Sequence, residues 1–286
     1  MIHTPNTSEM RQTWLDYHKE AKRPWNYVSF VLVLIGLLGL IEAYFGFTDV
    51  LTVIVLTNGI ILTLVGVIAF LVNQYYVREK VSVQELFPEI VKSINLSDER
   101  NIEYQAYPKE DRKFFQEGGL FTRNAFAKVR YRMDGKTEEG IPFTLMNLSL
   151  IVSTGSASHE VFRGIYIYIP KDAGGYYQIK TRYRPSIKGA KFEKIGEEGP
   201  FTIYREEETV LDDTLLKARL QNITSLHQQL EAKHSYFGST NDALHFAFTE
   251  KAIPYKLQTA EEDEINAVRA RFKLYLSVIE KLNISM

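Results

Sequence analysis

Apolar residues run almost unbroken from Asn26 to Val77 and fall into two stretches. The first is NYVSFVLVLIGLLGLIEAYFGF, with one charge at Glu42; the second is TDVLTVIVLTNGIILTLVGVIAFLVNQYYV, with one charge at Asp49. A bilayer core of about 30 Å is crossed by about 20 apolar helical residues. Helix is the conformation open to a single spanning run, because lipid satisfies no free backbone N–H or C=O. The pattern therefore predicts a transmembrane hairpin over 25–77, with helices at about 26–47 and 49–77. Two buried helices of a soluble core would carry shorter runs with interior charges. A cleaved signal is disfavoured by the mixed-charge lead before Asn26 and by the lack of a small-residue cleavage site after Ile41.

Within the hairpin, Ser29, Gly36 and Ala43 recur every seven residues, as do Thr52, Gly59, Gly66 and Asn73. Residues at that spacing share one helix face, so each helix offers a mostly small-residue seam for close packing. Asn58 flanks the second seam and suits an interhelical hydrogen bond. Trp25, Tyr27, Tyr44, Tyr75 and Tyr76 stand at the ends of the runs, where membrane interfaces hold aromatic rings. Ahead of the runs, Ser8 is placed to cap a short helix over Glu9–Lys22, ended by Pro24.

Beyond Val77 the periods change. Val83, Leu86, Phe87, Ile90, Val91 and Ile94 form a helical stripe broken near Pro88, and a second helix is expected over Lys109–Glu117 before Gly118-Gly119. Val129, Tyr131 and Met133 alternate with charged residues up to Asp134-Gly135, which reads as a two-residue hairpin turn. Ile141, Phe143 and Leu145 follow, with Pro142 marking an edge or a bulge. After Leu148–Val152 and a TGSAS loop over Thr154–Ser158, VFRGIYIYI (Val161–Ile169) is the most strand-like stretch of the chain. Further strands are expected at 176–183 and 201–204. A helix follows over 212–232, and 234–237 pairs with 244–248 as a hairpin. A final helix at 261–283 carries its stripe on Ile265, Val268, Phe272, Tyr275, Ile279 and Leu282. The expected fold class is α+β: the two-helix hairpin, then a domain over 78–286 with a mainly antiparallel sheet and flanking helices.

Charge sets the orientation. Arg11, Lys19, Lys22 and Arg23 precede the hairpin, Arg78 and Lys80 follow it, and the short connection has no basic residue, so both termini are expected in the cytoplasm. Residues 78–286 carry equal numbers of acidic and basic side chains, which argues against nucleic acid as a partner. With no cysteine, the chain has neither disulfides nor thiol-based metal or catalytic sites. The stretch 171–194 is locally basic, with tyrosines between the cations. Lys180, Arg182, Arg184, Lys188 and Lys191 are its candidate contacts to anionic headgroups, and a solvated strand balanced by acidic 197–213 is the competing reading. His227 and His234 are seven apart rather than in an H-E-x-x-H pattern. Thr154, Ser156, Ser158 and His159 lie outside any G-x-S-x-G elbow, and no phosphate loop occurs. No cofactor and no metal site is expected.

The short lead, the hairpin, GGLF at Gly118–Phe121 and VFRGIYIYIP at Val161–Pro170 resemble a bacterial membrane-protein family known as domain of unknown function 3137. The likeness covers about 79–258, and Val161-Phe162-Arg163-Gly164 is its most specific piece. It implies a bacterial inner-membrane location, a cytoplasmic domain and, weakly, a LemA-type membrane partner; it transfers no catalytic residue. The expectation is a membrane-anchored interaction or scaffold protein that meets membrane lipids and a protein partner, with self-association left open. Two alternatives remain: an anionic-lipid sensor acting through 171–194, and an enzyme with a site near His159 or on the 227–234 segment.

Overall fold

The computed structural model describes residues 6–46, 50–109, 115, 117–121, 125–155, 157–171, 175–183, 185, 190–207, 209, 212–250 and 260–284, with backbone alone at 23–25, 42, 43, 45, 46, 50–53, 56, 154 and 284. Contacts divide the chain into two units: Pro5–Glu89 with Pro254–Asn266, and Met1–Thr4, Ile90–Ile253 and Ala267–Met286.

The first unit is built on two long helices. α1 (Thr7–Gly46) opens with a reciprocal cap. Asn6 Oδ1 accepts from the Glu9 N–H at 2.9 Å, and the Glu9 carboxylate accepts from the Asn6 N–H at 3.0 Å. This satisfies two backbone donors that the helix itself cannot. Ser8, expected as the cap, instead donates its hydroxyl to Asn6 Oδ1. Pro24 does not end the helix. α1 bends by 42° between Lys22 and Asn26 and continues, as a helix does where proline removes one hydrogen bond and crowds the preceding turn.

α2 (Val50–Val81) runs back antiparallel to α1, so that Gly36 meets Gly59 and Gly66 meets Val33. A Cβ on Gly36 would lie 2.8 Å from the Gly59 carbonyl oxygen and collide with Thr63. That approach is open only to a residue without a side chain. Nearer the N-terminus the same interface is filled by large groups: Trp14 donates to Ser82 Oγ at 3.2 Å and stacks on His18 at 4.4 Å between ring centres. α2 passes into a π-helical turn at Ser82–Leu86 and then α3 (Phe87–Ser97). The wide turn precedes Pro88, whose ring would otherwise crowd the carbonyl of Gln84.

The second unit is one antiparallel sheet. Its described strands are β1 (Glu103–Ala106), β2 (Ala125–Lys136), β3 (Pro142–Thr154), β4 (Ala157–Pro170), β5 (Tyr177–Lys180), β6 (Phe192–Glu198), β7 (Phe201–Glu206), β8 (Ser235–Ser239) and β9 (Ala243–Thr249). Their order is β1-β2-β3-β4-β9-β8-β5-β7-β6. The helices α4 (Asp213–Gln229) and α5 (Glu262–Ile284) flank it, so the α+β class with a mainly antiparallel sheet and flanking helices holds. Asp212 caps α4 by accepting from the N–H groups of Thr214 and Leu215.

Alternation along the central strands assigns the two faces. Tyr131 and Phe248 meet Phe272 and Tyr275 of α5 at 5.7 and 5.8 Å between ring centres. α4 lies beside α5, where Asn222 donates to the Lys281 carbonyl at 3.1 Å. Tyr166 and Ala247, one residue out of phase with that set, belong to the opposite face. They pack there with Met146, Leu148, Phe162 and Tyr236 beneath Phe115, Leu120 and Phe121. The final helix therefore covers the sheet and also neighbours a second helix. Most of the helix expected over Lys109–Glu117 lies outside the described residues; Phe115 and Glu117 are helical.

Several local expectations are corrected. Asp134-Gly135 is not a turn, since both residues sit in β2 opposite Thr144 and Phe143. Asp134 is held there by Arg132 at 2.7 Å and by the Thr144 hydroxyl at 2.6 Å. The chain turns later, over Thr137–Ile141, with Gly140 at φ +81°. Pro142 is the first residue of β3, a position with little ladder bonding to lose, and the bulge lies in β2 between Val129 and Tyr131. In TGSAS, Thr154, Ala157 and Ser158 are strand residues, with Thr154 paired to Ala157 and Ser153 to Ser158, while Ser156 lies outside the described residues. β1 and β6, the two outer strands of this sheet, were not anticipated.

The helix contact yields a test. Gly36→Val is expected to lower the stability of the full chain in detergent by about 1–3 kcal/mol, read by denaturant titration. The outward-facing Leu38→Ala should change it by no more than about 0.5 kcal/mol. Equal effects from the two would contradict close packing at Gly36.

Candidate functional site

Three regions hold the residues that sequence singled out. The first is the helix pair. Ser29, Gly36, Gly59, Gly66 and Asn73 are all buried along it, at the same seven-residue spacing. The Ala43 and Thr52 side chains lie outside the described set. Gln74 donates to Asn26 Oδ1 at 3.2 Å near one end of the seam. Outward from it, Tyr27, Phe30, Ile41, Leu64, Ile68 and Leu71 are more than half exposed. One helix is long and apolar enough to cross a membrane, and two are if bent α1 counts as one span.

The second region is the basic stretch, which the fold divides. Lys180 does not reach a lipid surface. It is wholly buried in β5, where all four residues are covered, and its ammonium donates to the Leu120 carbonyl at 2.8 Å. Arg182 is exposed over the Tyr183 ring, 4.7 Å from its centre, and Lys191 is exposed. Arg184 and Lys188 lie outside the described residues. Lys194 pairs with Glu197, and Arg205 with Glu193, so part of the local charge is balanced across β6 and β7.

Lys180 leads to the third region, a polar cluster enclosed on the sheet face opposite α5. Gln178 Nε2 donates to the Gly118 carbonyl at 3.0 Å, so Gln178 and Lys180 together hold the GGLF segment by its backbone. Beside them the Tyr166 hydroxyl and His245 Nδ1 share a hydrogen bond of 2.7 Å. A Cβ on Gly118 would stand 2.6 Å from the His245 ring and 3.0 Å from that hydroxyl, so glycine lets the backbone close over the pair. Burial removes water from these groups and disfavours their charged forms. It pulls Lys180 down to about 7 and His245 down to about 4, and it pushes the Tyr166 phenol well up. At neutral pH Tyr166 and His245 form a neutral pair, able to hold a proton at the phenol oxygen or at Nδ1 but closed to solvent.

On the α5 face, Glu250 accepts from Arg271 Nε at 2.9 Å and from the Tyr275 hydroxyl. Burial outweighs the attraction of Arg271 and raises this carboxyl to about 7.

The histidines singled out by sequence do not join these clusters. His159 is exposed on β4 opposite Val152. His227 shares a hydrogen bond with Ser235 Oγ at 2.9 Å and meets Phe201 edge-on, and His234 lies near Thr181. Among the described residues, no three or more His, Asp or Glu side chains gather as a metal site would require. The enclosed cluster was not legible from sequence, because Gly118 and Gln178 are 60 residues apart, as are Leu120 and Lys180.

No family model matches the chain, and no curated protein matches it. Among solved structures, the crystal structure of the mycobacterial trehalose monomycolate transport factor A is similar at 12% identity and a TM-score of 0.36, over 66% of this chain and 92% of that one. A likeness at this level assigns neither a fold nor a role.

The displaced Lys180 gives a pH signature. Its pKa is about 7 in the fold against 10.5 in the unfolded chain, so between these values the unfolded state binds more protons and stability rises with pH. The slope from this one group is at most about 1.4 kcal/mol per pH unit. Below pH 7, His245 contributes in the same sense and Glu250 in the opposite one, so the clean window is pH 7 to 9. Lys180→Met is expected to lose this rise in denaturant titrations of the full chain. An unchanged pH profile in the variant would contradict the enclosed position of Lys180.

Proposed function

We propose that the chain is a membrane-anchored binding protein of a bacterial inner membrane. In this reading α1 and α2 cross the bilayer, both termini lie in the cytoplasm, and the α+β unit receives a protein partner there. One observation carries it. Between Tyr27 and Tyr76, twenty-one described large apolar or aromatic side chains are exposed on the outside of the helix pair. At roughly 1 kcal/mol for each half-exposed side chain, leaving them in water would forgo on the order of 20 kcal/mol. Domains are net stable by only about 5–15 kcal/mol. Lipid removes that cost, and the basic residues flanking the helices support a cytoplasmic side for their outer ends.

Binding rather than catalysis is supported by where the ionisable groups lie. Lys180, His245 and Tyr166 are enclosed and already engaged by protein groups. The open polar surface suits recognition instead. A cleft of about 540 Å³ runs between Arg100, Glu103, Asp134, Lys136 and Glu138. At this surface Arg100 pairs with Glu138 at 3.1 Å and with Glu280 at 2.8 Å. Mixed charge at such a surface selects complementary partners more than it adds raw affinity. The lipid-sensor reading of 171–194 is weakened by the loss of Lys180 to the interior.

A chain without cysteine permits a direct test, because any introduced thiol is unique. In intact cells stripped of their outer envelope, a membrane-impermeant maleimide should label Gly46→Cys and leave Lys191→Cys unlabelled until lysis. Labelling of Lys191→Cys before lysis would overturn the orientation, and equal labelling of both sites before lysis would overturn the anchor.

A further inference from the structure

The helix pair carries an open groove of about 670 Å³, bounded by Ser29, Phe30 and Val33 on α1 and by Gly66, Val67 and Phe70 on α2. Its size falls within the range of about 300–1,000 Å³ usual for small-molecule sites. Its walls are apolar except at the end where Asn26 and Ser29 stand. Ser29 is buried, and its hydroxyl has no hydrogen-bond partner among the described residues.

Four residues before Asn26 on α1, and four after Gln74 on α2, the two helices bring Lys22 and Arg78 together. Arg78 acts electrostatically on Lys22, and both act on His18. Burial and these neighbouring cations together hold His18 down at about 4 and lower Lys22. Arg78 Nε and His18 Nε2 are buried without acceptors among the described residues. Like charges held close at a partly dry interface repel one another, and an anion placed between them relieves the repulsion.

We propose that this is a binding site for one anionic phospholipid, with its phosphate between Lys22 and Arg78 and an acyl chain in the groove beside Ser29. The proposal rests on the reading that α1 and α2 span the membrane. In that setting the cations stand at headgroup level on the cytoplasmic side and the groove descends from them into the acyl region, the arrangement by which basic pockets between transmembrane helices bind anionic headgroups. Charge complementarity selects phosphatidylglycerol-like lipids over zwitterionic ones, and the apolar groove selects a lipid over a free phosphate ester.

The test uses the full chain in an uncharged detergent, titrated with phosphatidylglycerol or phosphatidylcholine, with bound lipid read by native mass spectrometry. Phosphatidylglycerol is expected to bind about thirtyfold more tightly, the order expected of two cations facing a lipid of net negative rather than zero charge. The double variant Lys22→Gln with Arg78→Gln should lose the preference. Val67→Trp, which fills the groove from an exposed position, should lose uptake of both lipids. Glycerol 1-phosphate should not compete. Equal binding of the two lipids, a preference that survives the double variant, or full competition by glycerol 1-phosphate would each overturn the site. Vesicle flotation of the same proteins separates this from the anchor: a chain that floats with vesicles of either lipid yet shows no preference in the detergent titration refutes only the site, and one that does not float refutes the reading beneath it.

Discussion

Close approach of α1 and α2 determines where the large side chains of both helices go. At Gly36, Gly59 and Gly66 the facing helix comes so near that no added side chain fits, and the glycines lie against Thr63, Leu40 and Val33. The branched and aromatic residues on the rest of each helix are left facing outward. In water this arrangement is inverted, with small groups inside and large apolar groups outside. In lipid it is economical, because tails solvate leucine as well as another leucine does and the gain comes from tight backbone packing. The unusual composition of the seam and the apolar exterior are thus one fact seen from two sides.

The sheet unit follows the opposite logic. Its large side chains point inward on both faces: one face is closed by α4 and α5, the other by the segment through Phe115, Leu120 and Phe121. That segment brings backbone carbonyls onto the sheet, and a buried carbonyl requires a donor. Gln178 and Lys180 supply donors from β5. Lysine has the reach to do so, at the cost of a displaced ionisation. The same enclosure leaves Tyr166 and His245 as a neutral, satisfied pair rather than a reactive one.

Elements with a strong period were readable from sequence. The seven-residue seams, the stripe of α5 from Ile265 to Leu282, and the alternation of Tyr131 and Met133 each state a buried face locally; Val129, expected on that same face, is turned by the bulge to the opposite one, with Met146 and Leu148. What escaped was set by distant partners. Asp134-Gly135 has the composition of a turn, yet Thr144 and Phe143 across the ladder draw it into a strand. β1 and β6 carry charged residues suited to outer strands and so show no apolar alternation. Lys180 counted as surface charge because its run is basic; β5 lies inside the sheet between β7 and β8, and the distant GGLF segment lies over the side chain, with the Leu120 carbonyl on its nitrogen. Pro24 marks a bend rather than a stop, since the apolar residues on both sides of it lie on one continuous helix.

The central claim is that the outward face of the helix pair meets lipid. A nitroxide on Ile68→Cys in the otherwise cysteine-free chain, reconstituted in vesicles, reports its surroundings by collision with paramagnetic relaxers. The account expects relaxation by apolar oxygen to exceed relaxation by a water-soluble nickel chelate. Dominant relaxation by the nickel chelate would place that face in water and contradict it.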